Sequence, residues 1–337
     1  MKRVEDKNNK IVLFVPFLLS LIILLFISDF AFVQTSGQLG FKQTYRKAIT
    51  KDITYGRGKE NVGLVSIKGF PRRGPESFTN DAEGNFYICD TVNHRIQIFS
   101  PDGNHLYEIP LEEGVEASDI AIDGFGHIYV YDDVQGKLYQ YDKKGNFISM
   151  IGVDSKSWQS RGPMHIVDNE IYIRSSDQED ILIGRIVKGS LVAPTPEDIS
   201  QPLQKGIHGF SGKRYFVKLV RMEKGEIEIK DRRGTSKTID LPLKGIVSIA
   251  FLQEDKRGNF YIQTERVANG IIILEVHKFD SDGNYLSVIP IPETNYSTWG
   301  IKLLSIDENG NIYQFLPAEE KGRLNIFSPE ISSWGLK

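Results

Sequence analysis

Hydrophobic and polar positions follow different rules in different parts of the chain. From Ile11 to Ser28 the residues read IVLFVPFLLSLIILLFIS, without a charge. As a helix rising about 1.5 Å per residue, this run would span about 27 Å, close to the hydrocarbon thickness of a bilayer. Residues 29–60 are polar and lack a clear period, which predicts a tether. Beyond them come short apolar stretches such as Ile120-Ala-Ile122 and Ile128-Tyr-Val130, each bounded by Asp, Asn and Gly. Short apolar runs between such residues predict strands joined by tight turns.

The turns repeat. Asp, two residues, Gly, a polar residue, an apolar residue and Tyr occur as Asp81-Ala-Glu-Gly84-Asn-Phe-Tyr87 and Asp123-Gly-Phe-Gly126-His-Ile-Tyr129. The pattern returns as Asp255-Lys-Arg-Gly258-Asn-Phe-Tyr261 and Asp307-Glu-Asn-Gly310-Asn-Ile-Tyr313, with shorter copies at Asp168-Asn-Glu-Ile171-Tyr172 and Ser211-Gly-Lys-Arg-Tyr215. Asp can bond local backbone and Gly accepts positive φ, so the motif marks a hairpin. A second turn follows in several units, as in Ser100-Pro-Asp102-Gly103-Asn and Asp142-Lys-Lys-Gly145-Asn. Two hairpins make four strands, and spacing near 40–50 residues is that of a propeller blade. The expected fold is all-β: a six-bladed β-propeller over residues 61–330 with an N-terminal transmembrane helix. Blades should begin near residues 75, 117, 162, 206, 246 and 300. The last shows three clear strands, near 301–306, 311–316 and 323–327, and the segment 63–68 is expected to supply the fourth and close the ring.

The first blade resembles an NHL repeat. The likeness is carried by Gly74-Pro75, the Asp81 turn, and Asp90-Thr-Val-Asn93-His94-Arg95-Ile-Gln-Ile-Phe99. Asn93-His94-Arg95 corresponds to the repeat's naming region. Blade two has Asp132-Asp133-Val-Gln-Gly-Lys at the equivalent place, and blades three and four match by hydrophobic pattern alone. The resemblance implies the fold rather than a chemistry. It also implies a structural role for Asp90, Asn93, His94 and Arg95, tying neighbouring strands through buried hydrogen bonds.

Composition narrows the function. Lys2, Arg3, Lys7 and Lys10 precede the apolar run, while the whole chain carries a formal charge of −3. The basic flank predicts that residues 1–10 stay in the cytoplasm, that 11–28 act as a signal anchor, and that the propeller lies on the extracytoplasmic side. A cleaved signal peptide is the competing reading, but its apolar region usually runs about 7–15 residues. The acidic body disfavours nucleic acid as a partner. Cys89 is the single cysteine, so neither an internal disulfide nor a Cys-based zinc site is expected.

No catalytic residue is predicted, since the chain shows no nucleophile elbow, phosphate loop or dinucleotide fingerprint. His165 and His208 fall near the starts of the innermost strands of blades three and four, which line the axial channel, so the two could face one another. Two histidines alone are too few for a catalytic zinc, and no metal or other cofactor is expected. Arg72, Arg73, Asp132 and Asp133, in loops around the ring, join the two histidines as candidate binding residues. Residues 331–337 form a tail. The leading expectation is a membrane-anchored binding or scaffolding module for protein, peptide or glycan. The alternative is a metal-dependent lyase or a lactonase-type hydrolase working in the channel.

Overall fold

The repeated turn explains how the strands are laid down. In the Asp81 turn the carboxylate accepts the backbone N–H of Asn85 at 2.8 Å and its side-chain amide at 2.8 Å. Gly84 takes φ +82 and donates to the Asp81 carbonyl at 3.1 Å. A side chain other than Gly would be strained there. The same geometry recurs at Asp123, Asp255 and Asp307, where the motif's Tyr also donates its hydroxyl to the turn carboxylate: Tyr129 at 3.1 Å, Tyr261 at 3.1 Å and Tyr313 at 3.0 Å. The Asp caps its own turn and anchors the buried Tyr of the next strand.

The structure is a computed structural model and describes residues 44–330 apart from 154–161, 201–205, 221–223 and positions 242, 293 and 299. The chain begins there with β1 (Tyr45–Thr54). Blade 1 follows as β2 (Phe78–Asn80), β3 (Phe86–Asp90), β4 (Arg95–Phe99) and β5 (His105–Pro110). Blade 2 is β6 (Asp119–Ile122), β7 (Ile128–Asp132), β8 (Lys137–Tyr141) and β9 (Phe147–Gly152). Blade 3 is β10 (Met164–Val167), β11 (Glu170–Arg174), β12 (Asp180–Val187) and β13 (Ser190–Val192). Blade 4 is β14 (Ile207–His208), β15 (Arg214–Val220), β16 (Lys224–Lys230) and β17 (Ser236–Asp240). Blade 5 is β18 (Ile246–Glu254), β19 (Phe260–Ala268), β20 (Ile271–Phe279) and β21 (Tyr285–Ile291). Blade 6 is β22 (Leu304–Ile306), β23 (Ile312–Pro317) and β24 (Lys321–Pro329). Six four-stranded antiparallel sheets result.

The ring closes through a strand other than the expected one. β1 pairs antiparallel with β24, from Tyr45 opposite Pro329 to Thr54 opposite Lys321, and so becomes the outermost strand of blade 6. Residues 45–54, read from sequence as tether, thus belong to the propeller. The segment 63–68 instead makes a single bridge, Val65 to Arg73. The apolar run 11–28 and the tail 331–337 lie outside the described residues. Among the described residues no helix is long and apolar enough to cross a membrane.

Adjacent blades meet face to face, and the core is divided among their seams. Ile96, Ile98, Ile120, Ile128 and Val130 join blades 1 and 2, and Cys89 is buried among them. Burial pushes its thiol pKa well up, as expected of an inert packing cysteine. Other apolar clusters join blades 2 and 3, 4 and 5, 5 and 6, and 6 and 1. Among the described residues, no such cluster spans the seam between blades 3 and 4.

Candidate functional site

Antiparallel blades put the first and third turns of every blade on one face of the disc, here called the hairpin face. The second turns and the links between blades lie on the other, the crossover face. The sequence-predicted residues mostly fall toward the crossover face and do different work there.

Asp90 is fully buried at the end of β3. Its carboxylate accepts Gly63 N–H at 2.6 Å, the Asn93 amide at 2.8 Å and Arg95 Nε at 2.9 Å. Burial raises the Asp90 pKa, and those donors work against the rise. Arg95 continues the chain of bonds to the carbonyls of Gly58 and Asn61, both at 2.8 Å, and to Glu108 at 2.6 Å. His94 takes φ 53, with Nδ1 at 3.2 Å from the Val115 carbonyl. Asp90, Asn93 and Arg95 fasten the 56–63 loop, which follows the closing strand, onto blade 1, while His94 reaches the link into blade 2. Gln97 adds bonds to the Lys59 and Asn61 carbonyls at 3.0 and 2.9 Å.

Asp132 repeats the Asp90 arrangement one blade on. It is fully buried, and accepts Glu116 N–H at 2.9 Å and Gln135 N–H at 2.8 Å. Asp133 bonds Ser118 Oγ. The acidic pair, expected as candidate binding residues in a loop, holds the link into blade 2, with Asp132 fully buried. Arg73 pairs with Glu116 and Glu76, and Arg72 with Glu319. The two arginines pin the 65–73 loop across blades 1, 2 and 6.

His165 and His208 are brought together by a carboxylate whose place between them the sequence did not show. Asp180, 2% exposed at the start of β12, receives His165 Nε2 at 3.0 Å, His208 Nδ1 at 3.1 Å and His208 N–H at 2.7 Å, all on Oδ2. Tyr172 lies between the imidazoles, stacked on His165 at 5.7 Å and on His208 at 4.7 Å between ring centroids. Arg174 is 3% exposed, crosses to the Phe251 carbonyl of blade 5, and leaves Nε 3.8 Å from Asp180 Oδ1. Burial pushes the Asp180 carboxyl up, but His165, His208 and Arg174 outweigh it and hold its pKa well below the usual range. This polar stack occupies the 3–4 seam where the other seams carry aliphatic and aromatic packing. Nothing in the turn Ser175-Ser-Asp-Gln-Glu-Asp180 singled out its last residue; the one signal was a carboxylate directly ahead of the apolar Ile181-Leu182-Ile183.

An axial cavity of about 280 Å³ runs beside this stack and is also lined by Gln178, Phe210, Glu254 and Lys302. Lys302, from blade 6, bonds the Ile120 carbonyl at 2.7 Å and sits 3.1 Å from Asp119 of blade 2. Glu254 accepts Ser211 Oγ at 2.7 Å and Tyr215 Oη at 2.8 Å. His277 lies elsewhere, in blade 5 between Thr264 and Tyr285, where burial lowers its pKa to about 4. Among the described residues no group of three His, Cys, Asp or Glu side chains is placed to hold a metal.

Residues 73–99 match the NHL repeat family. No curated protein matches the chain. Among solved structures, a streptogramin B lyase superposes at a TM-score of 0.50 with 14% identity, over 85% of this chain and 98% of that one. Virginiamycin B lyase from Staphylococcus aureus gives 0.45 with 13% identity over 85% and 99%. A DUF4221-family protein from Bacteroides vulgatus gives 0.47 with 12% identity over 86% and 99%. At such identities the likeness speaks to fold, and fold does not carry function. The chain is a six-bladed β-propeller that carries an NHL repeat in its first blade.

Proposed function

We propose that the protein is a recognition module, held at the outer face of a membrane by residues 11–28, that captures a protein or peptide partner on its crossover face. The observation behind this is the distribution of exposed apolar side chains. Phe70 is 71% exposed, Val134 68% and Ile271 66%, with Ile67 and Ile272 beside them. All five belong to the 65–73 loop or to second turns of blades, on the crossover face, while Phe125, 76% exposed, stands alone in the first turn of blade 2 on the hairpin face. Large apolar side chains held out on rigid turns mark contact surfaces in soluble domains. The channel supports recognition over chemistry, because Lys302, Glu254, His165 and His208 each serve a fixed link between strands or blades.

A photo-crosslinking residue at Phe70, in the full chain in host membranes, is expected to give one or a few discrete adducts, and the same residue at Asn309 on the hairpin face none. Equal labelling from both positions, or none from Phe70, would sink the assignment. The location rests on the uncharged run and its basic flank. Protease added to intact cells or spheroplasts should digest the propeller while residues 11–28 remain membrane-bound. A body that stays protected, or a mature N-terminus near residue 35, would count against the anchor.

A further inference from the structure

The closing strand also decides how the ring responds to a pull. β24 leaves the second turn of blade 6 on the crossover face and ends at Pro329 on the hairpin face. Antiparallel to it, β1 enters at Tyr45 beside Pro329 and leaves at Thr54 beside Lys321. The chain therefore enters the propeller on the hairpin face, opposite the face that carries Phe70, Val134 and Ile271. Residues 29–44 separate Tyr45 from the uncharged run.

A pull on the chain ahead of Tyr45, resisted by a partner on the crossover face, runs along β1. The bonds of an antiparallel ladder stand perpendicular to the strands. Such a pull shears them together, so the nine residue pairs from Tyr45–Pro329 to Thr54–Lys321 share it. Side chains tie the same two strands crosswise. Asp52 holds Lys321 and lies 2.7 Å from Arg323 Nε, and Thr44 Oγ1 donates to Glu330 at 2.5 Å. Ile53 is buried in the cluster joining blades 6 and 1, and sliding β1 would drag it out.

Beyond Thr54 the chain is caught again. Tyr55 donates its hydroxyl to the Ala318 carbonyl at 2.8 Å, and the Asn93 amide donates to the Gly56 carbonyl at 2.9 Å. Arg95, Gln97 and Asp90 hold Gly58, Lys59, Asn61 and Gly63 of the same loop. β1 cannot slide toward the hairpin face without dragging this loop, so these residues of blade 1 share the tension. A pull between the two chain ends acts differently. Tyr45 and Pro329 sit side by side, and parting them opens the ladder from that end, one pair at a time.

We propose that β1, together with Asp90, Asn93, Arg95 and Gln97, forms a directional clamp. The ring withstands tension between its N-terminal side and a partner on the crossover face, and yields when β1 is peeled from its Tyr45 end. The clamp deepens the recognition reading and rests on it for the partner and the anchor; the dependence on direction rests on strand register alone.

Optical tweezers on the full chain in detergent test it, with handles on engineered thiols. Cys89 is fully buried and takes no handle. Gln38→Cys with Glu320→Cys, the latter exposed in the second turn of blade 6, pulls along β1; Gln38→Cys with Lys337→Cys peels it. Forced unfolding reads the barrier rather than the equilibrium, so one fold can give two forces. The first rupture should need at least about twice the force along β1 as in peeling, because the ladder bonds are shared in one case and broken singly in the other. Equal forces, or a higher force in peeling, would overturn the clamp. Gln97→Leu cuts two bonds to the loop and should lower the force along β1 while leaving the peeling force in place, since peeling reaches the loop last. An equal drop in both directions would show that the loop holds the fold and bears no tension. Direction dependence that persists while Phe70 crosslinks nothing would refute the docking face and leave the clamp standing.

Discussion

A chain shortened to begin at Tyr55 should lose cooperative melting altogether, whereas one beginning at Gln38 should melt like the full propeller. The difference is β1. Ile53 is 3% exposed within the cluster that joins blades 6 and 1, and Ile49 packs against the same cluster of Phe315, Leu324 and Ile326. Emptying a buried isoleucine site costs about 2–5 kcal/mol, and deletion empties the Ile53 site, strips the half-buried Ile49 and exposes the edge of β24. Tyr45 also donates its hydroxyl to the Gly310 carbonyl at 3.0 Å. Against a total stability of about 5–15 kcal/mol for a domain, this loss removes most of the margin. Circular dichroism melts of the two truncated chains decide the point. A Tyr55 chain that melts within a few degrees of the Gln38 chain would show that β1 is an ornament on a ring closed by other means.

The misassignment of that strand has a physical cause. The sequence Tyr45-Arg-Lys-Ala-Ile49-Thr-Lys-Asp-Ile53-Thr54 turns in only every fourth residue, and its register shifts between Lys47 and Ile49. The outermost strand has one neighbour and leaves most positions on both faces to solvent, so it shows neither the continuous apolar run of a buried strand nor a period-2 alternation. Inner and middle strands such as β3 and β7 are buried at every position and stand out as apolar runs. Blade number and hairpin positions were legible because turn chemistry is local. An Asp that caps its own turn and a Gly at positive φ announce themselves within five residues.

Site residues divided along the same line. The approach of His165 to His208 followed from blade phase alone, since both head innermost strands of adjacent blades. Asp180, which joins them, reaches the seam from the second turn of its own blade, and no local pattern fixes where such a turn points. Asp132 was misread for the same reason. A polar stretch looks solvated, yet the carboxylate turns inward to take the backbone N–H of Glu116, as Asp90 takes that of Gly63. Pairing at a distance of 15 to 30 residues is set by packing of one blade on the next.

The largest single-residue effect should come from another such carboxylate. Asp119, 1% exposed at the start of β6, bonds Ser77 Oγ of the preceding segment, its neighbour's Ile120 N–H at 2.7 Å and the Met164 N–H of blade 3, and lies 3.1 Å from Lys302 Nζ of blade 6. Asp119→Ala strips four donors from four parts of the ring and leaves a largely buried ammonium facing no counter-charge. Breaking a buried pair by removing one partner costs about 3–5 kcal/mol, more than an ordinary surface salt bridge by severalfold. The urea midpoint should fall accordingly with its slope unchanged. Adding Lys302→Met to Asp119→Ala should recover part of the loss, because the stranded charge is then gone while the orphaned N–H groups remain. A cost below about 1 kcal/mol for Asp119→Ala, or no recovery in the double variant, would mean that the blades are held by their apolar seams alone and that Lys302 finds another partner.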